Sequence, residues 1–351
     1  MRAVVYDGAG GVRVDDVAEP KIEEAADAIV KVTRAAICGS DLHILTGKTP
    51  GMPDGGVIGH EFVGTVVEHG DSVDGFSPGD RVVGSFLIAC GDCGPCAAGR
   101  YNFCKHRRAL GFGPLTGDLA GSQAEYVRVP QASVNLHPIA GGSDSLTDEQ
   151  ALFGGDILTT GFYGAALSEI EQGDVVVVVG AGPVGLFCAA AAKRYSPAQV
   201  LVLDMDAHRV DFAREQMGLN AIDVSNGEPK KAVAEATDGA MADVAIEAVG
   251  AIPAFETATN CVRDGGRVTV IGVYGLDRYE MPMGLSWVRG LDLRFAGMAN
   301  VQAHWDEALL AVAAGDVDPL KIVSHRLPLE EAAEGYQLFQ AREAMKVVLT
   351  L

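Results

Sequence analysis

The chain is poor in lysine, short of positive charge and without a long unbroken apolar run. Only 9 of its 351 residues are lysine, and 27 basic side chains face 47 acidic ones, for a formal net charge of −20. So acidic a polymer repels phosphodiester backbones and anionic membrane surfaces, which excludes nucleic acid and membrane as partners. The opening residues MRAVVYDGAG contain no apolar core of the kind a secretory leader needs. The longest apolar stretch, VVVVVGAGPVGLFCAAAA, is broken by glycine and proline. It also lies inside an alternating strand and helix pattern, which argues against a membrane span. The expectation is a soluble, cytoplasmic protein.

What is present sharpens this. The acids are dispersed, with no acidic tail. Dispersed acidity with little lysine fits a halophilic surface, where concentrated salt screens the self-repulsion; ordinary acidic solubility is the alternative. The 44 glycines indicate many tight turns and close backbone approaches. The 7 cysteines are odd in number, and a reducing compartment disfavours disulfides. Clustered cysteines then read as metal thiolates.

Two textures divide the chain. Up to about residue 134, short strands such as AIVKVTRAAI, FVGTVVEHG and AEYVRV alternate with glycine-rich turns. After about Asp156 the pattern becomes strand then helix: DVVVVVG, PVGLFCAAAAKRY, QVLVLD, DAHRVDFAREQMG, DVAIEAVG, PAFETATNCV, RVTVIGVY, LDLRFAG. Such alternation means βαβ units and a parallel sheet. The fold class is α/β, a doubly wound (Rossmann) unit at 157–297 beside a β-rich unit at 1–156 and 298–351. The closing strand KVVLTL has no sheet nearby in sequence and is expected to return to the first unit.

Gly180, Gly182 and Gly185 form G-x-G-x-x-G between a strand and a helix. In that context the first glycine makes the turn, the second lets a pyrophosphate approach, and the third allows close helix–strand contact. Pro183 and Val184 open the helix, whose free N–H groups favour phosphate. Asp204 ends the next strand, where an acid hydrogen-bonds the adenosine ribose and repels a 2′-phosphate. NAD is therefore expected over NADP, although Arg209 lies five residues beyond and could attract that phosphate.

Cys90, Cys93, Cys96 and Cys104 have C-x2-C-x2-C-x7-C spacing. An all-thiolate zinc site of this kind is closed to substrate and serves the fold of its lobe, 88–108; an iron–sulfur cluster and a zinc ribbon are alternatives. A catalytic ion needs mixed donors and an open position. Cys38, His60 and Asp156 offer sulfur, nitrogen and oxygen, with Glu61 adjoining as an alternating ligand or an outer partner. Spacing alone leaves core roles open for each. Cys188 and Cys261 lie in apolar helical stretches and read as core.

In order and spacing, AAICGSDLH, GHEFVGTV, GDRV, CGDCGPC, DILTTGFYGA and VVGAGPVG resemble the zinc-dependent medium-chain alcohol dehydrogenases, over the whole chain. The resemblance implies a GroES-like β-domain, a catalytic zinc on Cys38, His60 and Asp156, and a structural zinc on the four clustered cysteines. Many relatives have cysteine or glutamate where this chain has Asp156, so the subgroup stays open. It implies a proton relay through Ser40 and His43, and Phe86 in the substrate pocket. Thr160, Val184, Ile271 and Val273 are expected at the cofactor. Lys346 is expected on its phosphates, compensating for Gly39, where some relatives carry arginine. A homodimer or homotetramer acting on a small alcohol, aldehyde or ketone is implied; a polyol, sugar or amino-acid alcohol is the alternative substrate class.

Overall fold

The computed structural model describes residues 1–139, 146–275 and 278–351. They form two compact units, Met1–Thr159 with Asn300–Leu351, and Thr160–Ala299.

The first unit is built on the strand Ala28–Ile37, whose alternating valines, isoleucines and alanines are largely buried. Antiparallel to it run Glu61–His69, Tyr126–Val129 and, from the far end of the chain, Val347–Thr350. The register is what builds the site. Ala36 stands opposite Glu61 and Ile37 opposite Val347. Cys38, His60 and Lys346 are each one residue beyond those pairs, so three strands deliver them to one end of the sheet. The neighbouring strand Arg81–Gly84 places Gly84 opposite Phe62, where any Cβ would overlap the ring. Gly155 packs on Gly84 with equal tightness, and its carbonyl accepts the Phe86 N–H at 3.1 Å. That contact brings Asp156 and Phe86 to the same end.

In the second unit, β1 (Val175–Val179), β2 (Gln199–Asp204), β3 (Asn220–Asp223), β4 (Ala242–Glu247), β5 (Val262–Val270) and β6 (Asp292–Phe295) form an all-parallel sheet in the order 3-2-1-4-5-6. The five valines of β1 are buried on both faces or nearly so, as a central parallel strand requires. The order reverses at β1, the crevice in which such sheets bind ligands. Gly180 follows β1 with φ +107°, a left-handed conformation that favours glycine. A Cβ at Gly185 would overlap the Gly180 carbonyl, so the helix Pro183–Ala192 meets the strand only with glycine there. The helices Pro229–Ala236 and Met283–Arg289 escaped the sequence reading; both are short, at eight and seven residues. Among the described residues no helix is long and apolar enough to cross a membrane.

Candidate metal centres and active site

Cys38, His60, Glu61 and Asp156 each present one donor atom, all four within 4.8 Å of one another, and all four are buried. His60 Nε2 is 3.2 Å from Asp156 Oδ2 and 3.3 Å from the Ser40 hydroxyl. Cys38 Sγ lies 3.6 Å from the same Asp156 oxygen. The other imidazole nitrogen, Nδ1, faces Asp41 Oδ1 at 3.0 Å. Asp41 is itself fully buried, and its second oxygen takes hydrogen bonds from Cys38 N, Gln123 Nε2 and the Tyr336 hydroxyl. That carboxylate fixes the imidazole so that Nε2 points into the cluster, the usual outer support of a ligating histidine.

Protonation in the cluster follows from burial and from its charged neighbours. Burial opposes charge on His60, but the charge of Asp41 and hydrogen bonds with Asp156 and Asp41 hold its pKa well above the ordinary histidine value. Burial pushes the Cys38 thiol up; Lys346 opposes that, and Asp156 and Glu61 add to it. Burial also carries Glu61 up to about 7 against the pull of Lys346. A divalent cation reverses these preferences, favouring thiolate and neutral imidazole. Three buried carboxylates, Asp41, Glu61 and Asp156, face one buried ammonium, Lys346. With the Cys38 thiolate counted, the negative groups outnumber that ammonium, an excess that a divalent ion offsets. Mixed S, N and O donors with that charge fit zinc.

The four clustered cysteines form the second donor set. Cys93 stands at the head of the short helix Gly94–Ala97, which carries Cys96, and all four sulfurs lie within 4.8 Å of one another. Neighbouring sulfurs are 3.4 to 4.0 Å apart. A tetrahedron of about 2.3 Å Zn–S bonds has edges of about 3.8 Å, so this is the size of a single-ion site. Backbone N–H groups draw Cys93 down to about 6, whereas burial lifts Cys90 to about 12 and Cys96 to about 11. All 7 cysteines are free, so no disulfide competes. Asn300 holds the lobe, accepting from Tyr101 N at 3.0 Å and donating to the Gly99 carbonyl at 2.8 Å.

The remaining expected residues divide. Phe86 lies with its ring 6.0 Å from that of His60. His43 is half-buried in the short helix Asp41–Leu45 that follows Ser40. Lys346 departs from its expected place on cofactor phosphates: it is 1% exposed, and its Nζ donates to Glu61 Oε1 at 2.6 Å. The strand register, which sets it beside Ile37, turns it into the metal cluster. In the second unit, Asp204 Oδ2 accepts from Ala181 N at 2.6 Å and Oδ1 from Asp206 N at 2.9 Å, tying the glycine loop to the end of β2. The Arg209 guanidinium approaches to 3.6 Å from where a Cβ on Gly182 would stand. Thr160 and Ile271 are buried; Ile271 packs toward Gly164, whereas Val273 is 57% exposed. The sequence reading missed Asp41 and Phe112, whose ring lies 4.9 Å from His60. Asp41 had a signal, an acid three residues after a candidate ligand; Phe112 had none.

Residues 24–140 match the family described as alcohol dehydrogenase GroES-like domain, and 183–314 that described as zinc-binding dehydrogenase. An uncharacterized zinc-type alcohol dehydrogenase-like protein of Bacillus subtilis is 35% identical, covering 99% of this chain and 100% of that one. An L-threonine 3-dehydrogenase of Serratia proteamaculans is 31% identical, covering 97% of this chain and 96% of that one. Among solved structures, an alcohol dehydrogenase from Thermus sp. ATN1 superposes with a TM-score of 0.93 at 40% identity, covering 100% of this chain and 99% of that one.

Proposed function

The chain belongs to the zinc-dependent medium-chain alcohol dehydrogenase family, and from that premise we propose that it moves hydride reversibly between a small alcohol–carbonyl pair and NAD. What supports this most is the burial together of Cys38, His60 and Asp156, one sulfur, one nitrogen and one oxygen from distant parts of the chain. When bound, zinc supplies a Lewis acid for the alcohol oxygen and NAD a hydride acceptor. Cys38, His60 and Asp156 would hold the ion, with Asp41 orienting His60. The Ser40 hydroxyl, at 3.3 Å from His60 Nε2, would receive the alcohol proton. His43 carries it onward, since an imidazole takes and gives a proton near neutral pH. Phe86 and Phe112 flank His60 with apolar surface, which excludes water and favours a small or medium apolar alcohol over a polyol.

This reading requires two zinc ions per chain and turnover of simple alcohols with NAD. Metal analysis and a panel of alcohols, polyols and amino-acid alcohols with both cofactors, at low and high salt, test it. One ion per chain and no turnover would instead mean a non-catalytic relative. Turnover that rises with salt is the outcome the dispersed acidity favours. Free cysteines throughout are consistent with a reducing cytoplasm.

Cofactor choice is read from Asp204. Asp204→Ala removes the acceptor for the ribose and the tie to Ala181 N. It is expected to raise KM for NAD about tenfold, a hydrogen bond to a charged group, with NADP less affected. An unchanged NAD to NADP ratio in steady-state kinetics would contradict the role. A second copy of the chain is the expected partner. The sheet ends in the edge strand β6, and the helix before it exposes Trp287 at 81% and Val288 at 72%. Such an edge with large apolar neighbours is covered in stable proteins. Trp287→Glu with Val288→Glu should shift the mass in solution toward monomer; the unaltered oligomer would place the contact elsewhere.

A further inference from the structure

Glu247 is fully buried at the C-terminal end of β4, in register with Val179 of β1 and Val270 of β5. It makes no salt bridge among the described residues. Its Oε1 accepts from Val249 N and Gly250 N, both at 2.8 Å, and the Tyr274 hydroxyl and Ala251 N also bear on the carboxyl. Its main-chain carbonyl accepts from Ile271 N at 2.9 Å and Gly272 N at 3.0 Å. One residue therefore clamps two turns, that after β4 and that after β5. The turns touch so closely that a Cβ on Gly272 would overlap Gly250 N and come within 2.6 Å of Glu247 Oε2. The Tyr274 hydroxyl adds a bond to Ala251 O at 3.0 Å. A carboxyl buried in a sheet without an ion pair is costly, and here its hydrogen bonds go to the two turns.

The use of those turns follows from topology. The glycine loop after β1 takes the pyrophosphate, and β2 with Asp204 takes the adenosine side. The nicotinamide half is left to the ends of β4 and β5, on the other side of β1. Each clamped turn presents one exposed valine there, Val249 at 52% and Val273 at 57%. Val249 also abuts the glycine loop, its Cγ2 only 2.7 Å from where a Cβ on Gly180 would stand. We infer that Glu247 is a positioning residue for the dinucleotide, holding Val249 and Val273 as the apolar wall against which the nicotinamide riboside half lies. Burial raises its pKa while the Gly250 and Val249 N–H groups pull it down, so glutamine, which keeps an acceptor at Oε1, is the conservative replacement.

This rests on the dinucleotide reading above, and the test separates the two. NADH binding is measured by fluorescence titration and ADP binding, which lacks the nicotinamide half, by calorimetry. Glu247→Ala should weaken NADH at least about tenfold and leave ADP within about threefold; Glu247→Gln should restore most of the NADH affinity. Gly272→Ala, whose Cβ strikes Gly250 N and Glu247 Oε2 and so pushes the two turns apart while the carboxyl is kept, should repeat the alanine result and serves if Glu247→Ala does not fold. Equal loss of NADH and ADP, no loss of either, or a glutamine variant as weak as alanine overturns the proposal. An unaltered chain that binds neither NADH nor ADP overturns the dinucleotide reading itself.

Discussion

Replacing Cys38 with serine, or His60 with alanine, is expected to lower kcat by at least about 10⁴-fold while the far-ultraviolet spectrum and ADP binding persist. The magnitude is the loss of Lewis-acid stabilisation of an alkoxide, several kcal/mol, at about 1.4 kcal/mol per factor of ten. The reason for the size lies in the surroundings. The cluster is buried with Asp41, Glu61 and Asp156 against the single ammonium of Lys346. Removing one donor lowers the affinity for a cation that the remaining carboxylates still need. Zinc content should therefore fall by one ion per chain together with activity, and cobalt introduced at this site alone should lose its visible thiolate band in Cys38→Ser. An active Cys38→Ser enzyme, or one that keeps its full zinc content, would refute the assignment. A loss of activity with both ions retained would also count against it, moving the defect from the metal to the alcohol.

How much of this was legible beforehand follows from distance along the chain. The glycine motif and the clustered cysteines are local: their spacings encode a turn and a single-ion site, and the backbone needs only a few residues to realise either. The parallel sheet was legible because β1 and β4 read as apolar runs separated by helix-length segments. Cys38 and His60 were visible as candidates through their donor types and the motifs AAICGSDLH and GHEFVGTV, yet their meeting depends on the register of Ala36 with Glu61. Lys346 shows the limit. It meets Glu61 across 285 residues of sequence, and nothing local distinguishes a lysine that turns inward to a carboxylate from one that reaches a phosphate. Tyr336 reaches Asp41 across 295 residues in the same way. Ile271 lies one residue past β5, and nothing local in the sequence shows that its side chain packs toward Gly164.

Cys96→Ser is expected to remove one zinc ion and to lower the melting temperature by about 10 °C, with kcat at low temperature falling less than about tenfold. The lobe has little else to hold it. Its buried core is Ala89, Cys96 and Cys104, with Cys90, Cys93, Tyr101 and Val134 packed around them, so the cysteines are most of the cluster. Four sulfurs 3.4 to 4.0 Å apart are spaced as the ligands of one ion would be. Structural zinc contributes about 10–16 kcal/mol to folding in small zinc modules. Here the lobe is also pinned by Asn300, at 2.8 Å to Gly99 O and 3.0 Å from Tyr101 N, so local unfolding absorbs part of the loss. About 4 kcal/mol reaching the global transition, at roughly 2–4 °C per kcal/mol for a domain of this size, gives the stated shift. Cys188→Ser is the control. Its thiol, pushed up to about 12 by burial, sits in an apolar helix and belongs to neither donor set, so it should leave zinc content unchanged. A Cys96→Ser protein that keeps two ions and its melting temperature would show that the four cysteines are packing residues and that the lobe folds without metal.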